Sequence, residues 1–174
     1  MSVAKRNLEF RLGDNVDPFI HAYEEFVRQR CEVLMERLAN RLRDLIEQNF
    51  VGAIVDDVLP TSGGPRHASV QVLPPTKDGD AYTITVDGSD AVWVEFGAGV
   101  FHNGAVNTSP NPYGDALGFT IGGYGEFGDR DVWGFWDENW NLVLTHGTPA
   151  QMPMYRAVQT LIAEYPQIAQ EVFV

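Results

Sequence analysis

Apolar residues recur every three or four positions along the first third of the chain and predict one long amphipathic helix. This stripe consists of Phe19, Ile20, Tyr23, Phe26, Val27, Leu34, Leu38, Leu42, Leu45 and Ile46. Asp17 and Pro18 suit the N-cap and the first helical position. We expect a helix over residues 18–49, ~48 Å long at 1.5 Å per residue, preceded by an N-terminal arm over residues 1–16.

Alternating apolar and polar residues then predict short β-strands. We expect strands at Ala68–Leu73, Tyr82–Val86 and Ala91–Phe96, with a turn over residues 74–80 and a tight turn at Asp87-Gly88. Pro and Gly mark residues 59–65 as a loop.

The stretch after the third predicted strand has a different character. Residues 97–130 hold 9 of the 17 glycines and predict a long loop. Val132–Trp136 and Trp140–Leu144 then flank three polar residues, which predicts a hairpin. We interpret residues 101–145 as an inserted loop and hairpin region.

The chain returns to a helical period near its end. Pro149 or Pro153 suits the first position of a helix, and Pro166 is expected to interrupt it before one further turn at Ile168–Phe173. The predicted stripe is Met154, Ala157, Val158, Leu161, Ile162 and Tyr165. The predicted fold is α+β: one domain over residues 1–174 with a long N-terminal helix packed on an antiparallel sheet with hairpins, and a shorter C-terminal helix.

Charge and composition limit the possible functions. The chain of 174 residues has a net charge of −12, and residues 44–174 hold 4 basic and 17 acidic residues, a net of −13. Such a surface repels phosphate backbones, which disfavours tight or sequence-specific binding of nucleic acid. The sequence shows no secretory signal and no membrane-spanning run. We therefore expect folding in a reducing cytoplasm and no membrane contact.

No catalytic or cofactor-binding pattern is complete. Gly123–Gly128 has the spacing of the dinucleotide fingerprint, but the required strand and helix are not predicted around it. The acidic side chains of Glu126, Asp129 and Asp131 would also repel phosphates. Cys31 lies within the helical pattern and is expected to pack rather than react. We expect no enzyme activity and no cofactor.

The sequence also gives only weak support for a metal site. The histidines are far apart in sequence: His21, His67, His102 and His146. Four acids lie close together, Asp129, Asp131, Asp137 and Glu138, and calcium accepts such ligands. Their spacing is not that of an EF-hand loop, and solvated acids at a hairpin tip explain them equally well. The tryptophans Trp93, Trp133, Trp136 and Trp140 lack interleaved basic residues, which favours a core or protein-interface role.

Two stretches carry a resemblance to a known family. Ala91–Gly99 reads Ala-Val-Trp-Val-Glu-Phe-Gly-Ala-Gly, and His146–Ala157 reads His-Gly-Thr-Pro-Ala-Gln-Met-Pro-Met-Tyr-Arg-Ala. With the long helix before them, they resemble the neck or tail-completion proteins of long-tailed bacteriophages. The loop Thr61–Ser69 is a loosened version of the family's Thr-Gly loop, and residues 101–145 resemble an insertion.

Particular residues of these stretches have expected roles. Gly97 and Gly99 allow a sharp exit from a strand. Glu95 is placed to pair with Arg156 or to accept backbone N–H groups, and the alternative is an exposed charge on an edge strand. Two of the three residues Met152, Met154 and Tyr155 are expected to pack in the core.

The resemblance implies a structural virion protein. Several copies, six or twelve, would form a ring at the head–tail junction and join the connector or stopper proteins to the tail. DNA would pass through without sequence-specific binding, along acidic walls. The protein would occupy the neck or tail of the virion after assembly in the host cytoplasm. The residues predicted to form interfaces are Tyr23, Arg28, Arg37, Arg41, Glu95, Trp133, Trp136 and Arg156.

Other functions stay open. The protein would otherwise be a tail terminator or a minor tail component. A different class is a soluble acidic DNA mimic that inhibits a basic host protein. An enzyme is the third alternative.

Overall fold

The computed structural model describes residues 17–56, 59–99, 111–114 and 132–173, and it has the predicted α+β architecture. The predicted N-terminal arm lies outside these ranges. The helices are α1 (Asp17–Phe50), α2 (Asp90–Phe96) and α3 (Pro153–Phe173). The strands are β1 (Ile54–Asp56), β2 (Arg66–His67), β3 (Gln71–Val72), β4 (Thr76–Asp78), β5 (Ala81–Thr83), β6 (Val86–Asp87), β7 (Ala98–Gly99), β8 (Trp133–Trp136), β9 (Leu142–Thr145) and β10 (Gly147–Thr148).

The described strands pair antiparallel in twos rather than in one continuous sheet. The pairs are β1–β2, β3–β6, β4–β5, β7–β10 and β8–β9. The predicted strand Ala68–Leu73 is reduced to β3, and the predicted strand Tyr82–Val86 is divided into β5 and β6. The predicted turn over residues 74–80 is wrong in part, because β4 lies within it and pairs with β5. Its actual turn is at Gly79-Asp80, where Gly79 has a φ of 58°.

The core lies between the C-terminal half of α1, the N-terminal half of α3, α2 and β1. Helices α1 and α3 are antiparallel: the side chain of Asn49 donates to the carbonyl oxygen of Pro153 at 2.9 Å. At the other end, the guanidinium of Arg37 lies 3.8 Å from the carboxylate of Glu171. The buried cluster comprises Leu45, Ile46, Phe50, Ala53, Val55, Val72, Ala91, Val94 and Ala157.

The predicted strand Ala91–Phe96 is wrong, since this segment is the helix α2. Its β-branched and aromatic residues favour a strand by propensity. Packing decides otherwise, because the residues that α2 buries include Asp90, Ala91, Val94 and Glu95, which is a helical and not an alternating pattern. Gly97 ends the helix with a φ of 78°, and its N–H donates to the carbonyl oxygen of Trp93. The sharp exit at Gly97 therefore leaves a helix, not a strand.

The predicted interruption at Pro166 is also wrong, because α3 continues through it to Phe173. A proline inside a helix leaves the carbonyl four residues earlier without its usual donor. That residue is Ile162, and both Ile162 and Pro166 are exposed. Water can therefore bond to the freed carbonyl, and the helix persists. Of the two candidate starts, Pro153 is the one observed.

Candidate interaction surfaces

A buried carboxylate joins three parts of the chain. Glu95, at the end of α2, is 5% exposed. Its Oε2 accepts the backbone N–H of Met154 at 2.8 Å, and its Oε1 accepts that of Tyr155 at 3.0 Å. The side-chain amide of Asn111 donates to the same Oε1 at 2.7 Å. We call this arrangement the Glu95 joint.

The Glu95 joint occupies the N-terminus of α3, where the first N–H groups lack partners within the helix. A negative charge at this end is also stabilised by the helix dipole. Burial nevertheless raises the pKa of Glu95 above its usual range, and the three donated hydrogen bonds oppose that rise. Of the roles expected for Glu95, acceptance of backbone N–H groups is confirmed and an exposed edge-strand charge is wrong.

Arg156 was considered as a partner of Glu95, but the hydrogen bond described for its side chain is to the backbone of Gln151. Its guanidinium donates to the carbonyl oxygen of Gln151 at 3.4 Å, and the residue is exposed. Met152, Met154 and Tyr155 are all half-buried, and Met154 packs against the core cluster. The ring of Tyr155 contacts that of Tyr113 edge to face, with 6.3 Å between centroids.

Side chains from the stretch before α3 bind the backbone of β1. Their hydrogen bonds take the place of those that a neighbouring strand would make. The amide nitrogen of Gln151 donates to the carbonyl oxygen of Ile54 at 2.6 Å, and its Oε1 accepts the N–H of Ile54 at 3.1 Å. The hydroxyl of Thr148 donates to the carbonyl oxygen of Val55. The two stretches that carry the family resemblance also contact each other, through the pairing of β7 with β10 and through the Glu95 joint.

A second buried acid fixes the beginning of α2. The carboxylate of Asp90 accepts hydrogen bonds from the guanidinium of Arg66 at 3.1 Å and from the N–H of Ser69 at 3.0 Å. Sequence reasoning missed Asp90, Asn111 and Gln151. An acid directly before the apolar run Ala91–Val94 was the available signal for Asp90, because acids favour the first turn of a helix.

Two predicted interface residues are used within the chain. The guanidinium of Arg41 binds the carboxylate of Glu164 through two hydrogen bonds of 2.7 Å. Arg37 pairs with Glu171 one turn further along the same seam. Both arginines therefore hold α3 against α1.

The first half of α1 projects beyond the rest of the described structure. Near the end of α3, Glu171 pairs with Arg37, and Leu34, one turn before Arg37, is the first buried residue of α1. Residues 17–33 continue for ~25 Å at 1.5 Å per residue, and we call them the α1 overhang. Their large apolar side chains are exposed: Phe19 at 78%, Tyr23 at 67%, and also Ile20 and Phe26. The overhang also carries Arg28, which is exposed and pairs with Glu25.

Helix α3 has a second apolar face in addition to the one packed on α1. Its inner face includes Ala157, Leu161 and Val172. About 100° around the helix, given 3.6 residues per turn, lies a line of half-buried and exposed apolar residues that we call the α3 outer stripe. The stripe comprises Val158, Ile162, Tyr165, Ala169 and Phe173. Ile162 is 61% exposed.

The predicted hairpin is confirmed as β8–β9 and forms a third apolar surface. The carboxylate of Asp137 accepts the N–H groups of Asn139 and Asn141 and closes the turn. These bonds, led by those from Asn141, lower the pKa of Asp137. Trp136 is exposed and Trp140 is 80% exposed. Trp133 lies at the first position of β8.

The predicted interface residues therefore do not form one patch. Tyr23 and Arg28 lie on the overhang, Arg37 and Arg41 on the α1–α3 seam, Glu95 in the interior, and the others at the hairpin or the start of α3. The exposed apolar side chains of α1 and α3 give a better guide to contact surfaces than the arginines do.

Within the described ranges, no group of three His, Cys, Asp or Glu side chains is arranged to hold a metal ion. Asp129 and Asp131 of the calcium hypothesis, and the Gly123–Gly128 pattern, lie outside those ranges. None of the described helices has the length and apolarity needed to cross a membrane.

No family model, curated protein or solved structure matches this chain.

Proposed function

We propose that this protein is a structural subunit of a ring at the head–tail junction of a long-tailed bacteriophage, a neck or tail-completion protein. The observation that carries the proposal is the α1 overhang. Its apolar stripe continues the buried stripe of α1 for ~25 Å past the end of α3, so the described part of one chain leaves a core-forming surface uncovered. Such a surface is typical of a subunit completed by its neighbours.

The kind of assembly comes from the resemblance. The order of the long helix, the Val-Glu-Phe-Gly-Ala-Gly stretch and the proline-rich start of α3 is similar to that of the phage neck family. The Glu95 joint gives this order a physical reason, because Glu95 caps the helix that begins at Pro153. A substitution in either stretch would disturb the other.

The charge distribution suits a channel for DNA. Exposed acids after residue 43 include Glu47, Asp78, Asp80, Asp87 and Glu138. Phosphates are repelled by carboxylates within a Debye length of ~8 Å. Acidic walls would let DNA pass without adhesion during packaging and ejection.

The test is an early stop codon in this gene of the parent phage, followed by electron microscopy of the lysate. We expect DNA-filled heads beside separate, finished tails. The matched control supplies the intact gene from a plasmid, which should restore joined particles. Normal infectious particles without the protein would contradict a role in the virion joint.

Other outcomes of the same experiment identify the alternatives. Tails of uncontrolled length would indicate a tail terminator. Intact particles, together with capture of a basic host protein by the purified chain, would indicate the acidic inhibitor.

A further inference from the structure

We propose that the α1 overhang of one copy packs along the α3 outer stripe of the next copy. As the subunit contact of a ring, this inference rests on the proposed function. As a contact between copies, it is tested in solution without a virion. The occupant of each surface is thus a second copy of this chain.

The two surfaces match in length. The overhang spans residues 17–33 and the outer stripe spans residues 158–173, which gives ~25 Å and ~23 Å at 1.5 Å per residue. Both present large apolar side chains at helical spacing: Phe19, Tyr23 and Phe26 on one, and Ile162, Tyr165 and Phe173 on the other. Two helices with such stripes pack by interdigitating their side chains.

One chain cannot bring these two surfaces together. Helices α1 and α3 are antiparallel, and α3 ends where the overhang begins. The overhang and the outer stripe therefore extend in opposite directions along the same axis. The inner face of α3 is already occupied by α1, through Ala157 and the Arg41–Glu164 pair.

The exposed apolar area approaches what a specific contact needs. With ~200 Å² for each large side chain, Phe19, Ile20, Tyr23, Phe26, Ile162, Tyr165 and Phe173 together expose roughly 770 Å². Specific interfaces begin near 1,200 Å² in total. Non-polar atoms supply about 57% of the area of such an interface, so the apolar share of a 1,200 Å² contact is ~690 Å².

The contact is heterologous, because it joins two different surfaces of the same chain. Each copy then has one free overhang and one free stripe, so association continues from copy to copy. Contacts of this kind close into rings when the rotation between copies divides a full turn.

The test is thiol cross-linking between two distinguishable copies. In a Cys31→Ser background, one chain carries Tyr23→Cys and a second chain of different mass carries Tyr165→Cys. A short bismaleimide should join the two chains in the mixture. The matched control replaces Tyr165→Cys with Val51→Cys, an exposed apolar position away from the stripe, and should give no product above background.

The same contact predicts the effect of polar substitutions on association. Phe19→Ser, Tyr23→Ser and Phe26→Ser together should weaken self-association at least about 100-fold, measured by sedimentation over a range of concentrations. Ile162→Ser with Tyr165→Ser should act similarly from the other side. Trp140→Ser, at the hairpin, is the control and should leave association unchanged. Circular dichroism verifies the fold of each variant.

Three outcomes would overturn the inference. The first is the absence of cross-linked product from the Tyr23→Cys and Tyr165→Cys mixture at millimolar chain. The second is efficient self-linking of Tyr23→Cys alone, which indicates an overhang-to-overhang dimer. The third is unchanged association of both polar variants. If any of these occurred while the stop codon still separated heads from tails, the inference would fail and the proposed function would stand.

Discussion

The carboxylate of Glu95 holds the beginning of α3, so its replacement should be costly. In Glu95→Gln, an amide nitrogen faces the N–H of Met154 and has no lone pair to accept it. We expect the free energy of unfolding to fall by about 1–3 kcal/mol, the cost of an unsatisfied buried donor. Urea titration measures this, and Glu138→Gln at the exposed hairpin turn should leave the free energy unchanged.

The same residue makes stability depend on pH. The pKa of Glu95 is raised in the folded chain from the ordinary value of 4.5, so the folded state binds this proton more tightly than the unfolded chain. Its contribution to the free energy of unfolding therefore falls as pH rises from 4.5 through the raised pKa. Subtracting the Glu95→Gln curve from the wild-type curve isolates this slope. A difference that rises with pH would contradict it.

Gly88 is required by both conformation and space. Its φ is 128°, and an added Cβ would lie 2.6 Å from the carbonyl oxygen of Ser69. We expect Gly88→Ala to lower the free energy of unfolding by about 2–3 kcal/mol. Gly79 also has a positive φ, but nothing lies within 4 Å of its Cβ position. Gly79→Ala should therefore lower the free energy of unfolding by only about 1 kcal/mol. Equal losses in the two variants would show that the backbone shifts to relieve the clash between the new Cβ at residue 88 and Ser69.

At this scale the sequence predicted some roles and missed others. A tight turn at Asp87-Gly88 was predicted from residue type alone, and the chain bends at Gly88, although Asp87 belongs to β6 and the turn leads into a helix rather than a strand. Acceptance of backbone N–H groups was one of the roles considered for Glu95. Asn111 was not predicted, because its partner Glu95 lies 16 residues away in the sequence. A pattern of neighbouring residues does not indicate a contact between residues so far apart in the sequence.

At the scale of elements, the seam between α1 and α3 is held by the Arg41–Glu164 pair. Arg41 lowers the pKa of Glu164, so the pair stabilises the fold above the ordinary pKa and loses this effect as pH falls through the lowered one. A double-mutant cycle with Arg41→Gln and Glu164→Gln should give a favourable coupling at pH 7 that disappears in acid. The cycle of Arg28 and Glu25, within one helix, is the control and should give a smaller coupling. If the coupling between Arg41 and Glu164 were as strong in acid as at pH 7, the charge of Glu164 would not be its source.

The elements also show where sequence periodicity succeeds and where it fails. The long helix was predicted at residues 18–49 and is found at Asp17–Phe50, because ten apolar positions define its period. Helix α2 has only seven residues, too few to separate a helical period from an alternating one. Its environment decides its structure: Asp90 anchors one end, Glu95 the other, and Val94 fills the core between them.

At the scale of the whole molecule, stability should be unequal along α1. The described hydrogen bonds and ion pairs of the overhang lie within α1 itself, and an isolated helix of ~17 residues is marginal in water. We expect amide hydrogens of residues 20–32 to exchange many times faster than those of residues 42–50 in the dilute chain. Hydrogen exchange with mass spectrometry measures this. The helix α3 is the internal control, because it packs along its whole inner face and should exchange slowly; uniform protection of α1 would contradict the prediction.

The projection of α1 has a mechanical consequence. A helix fixed at one end acts as a lever: with an arm of ~25 Å, a bend of about 10° at Leu34 would move its tip by ~4 Å. Leu45, the first α1 residue of the buried cluster, lies about three turns beyond that point. The buried cluster is therefore separate from the part of α1 that sets the position of the tip.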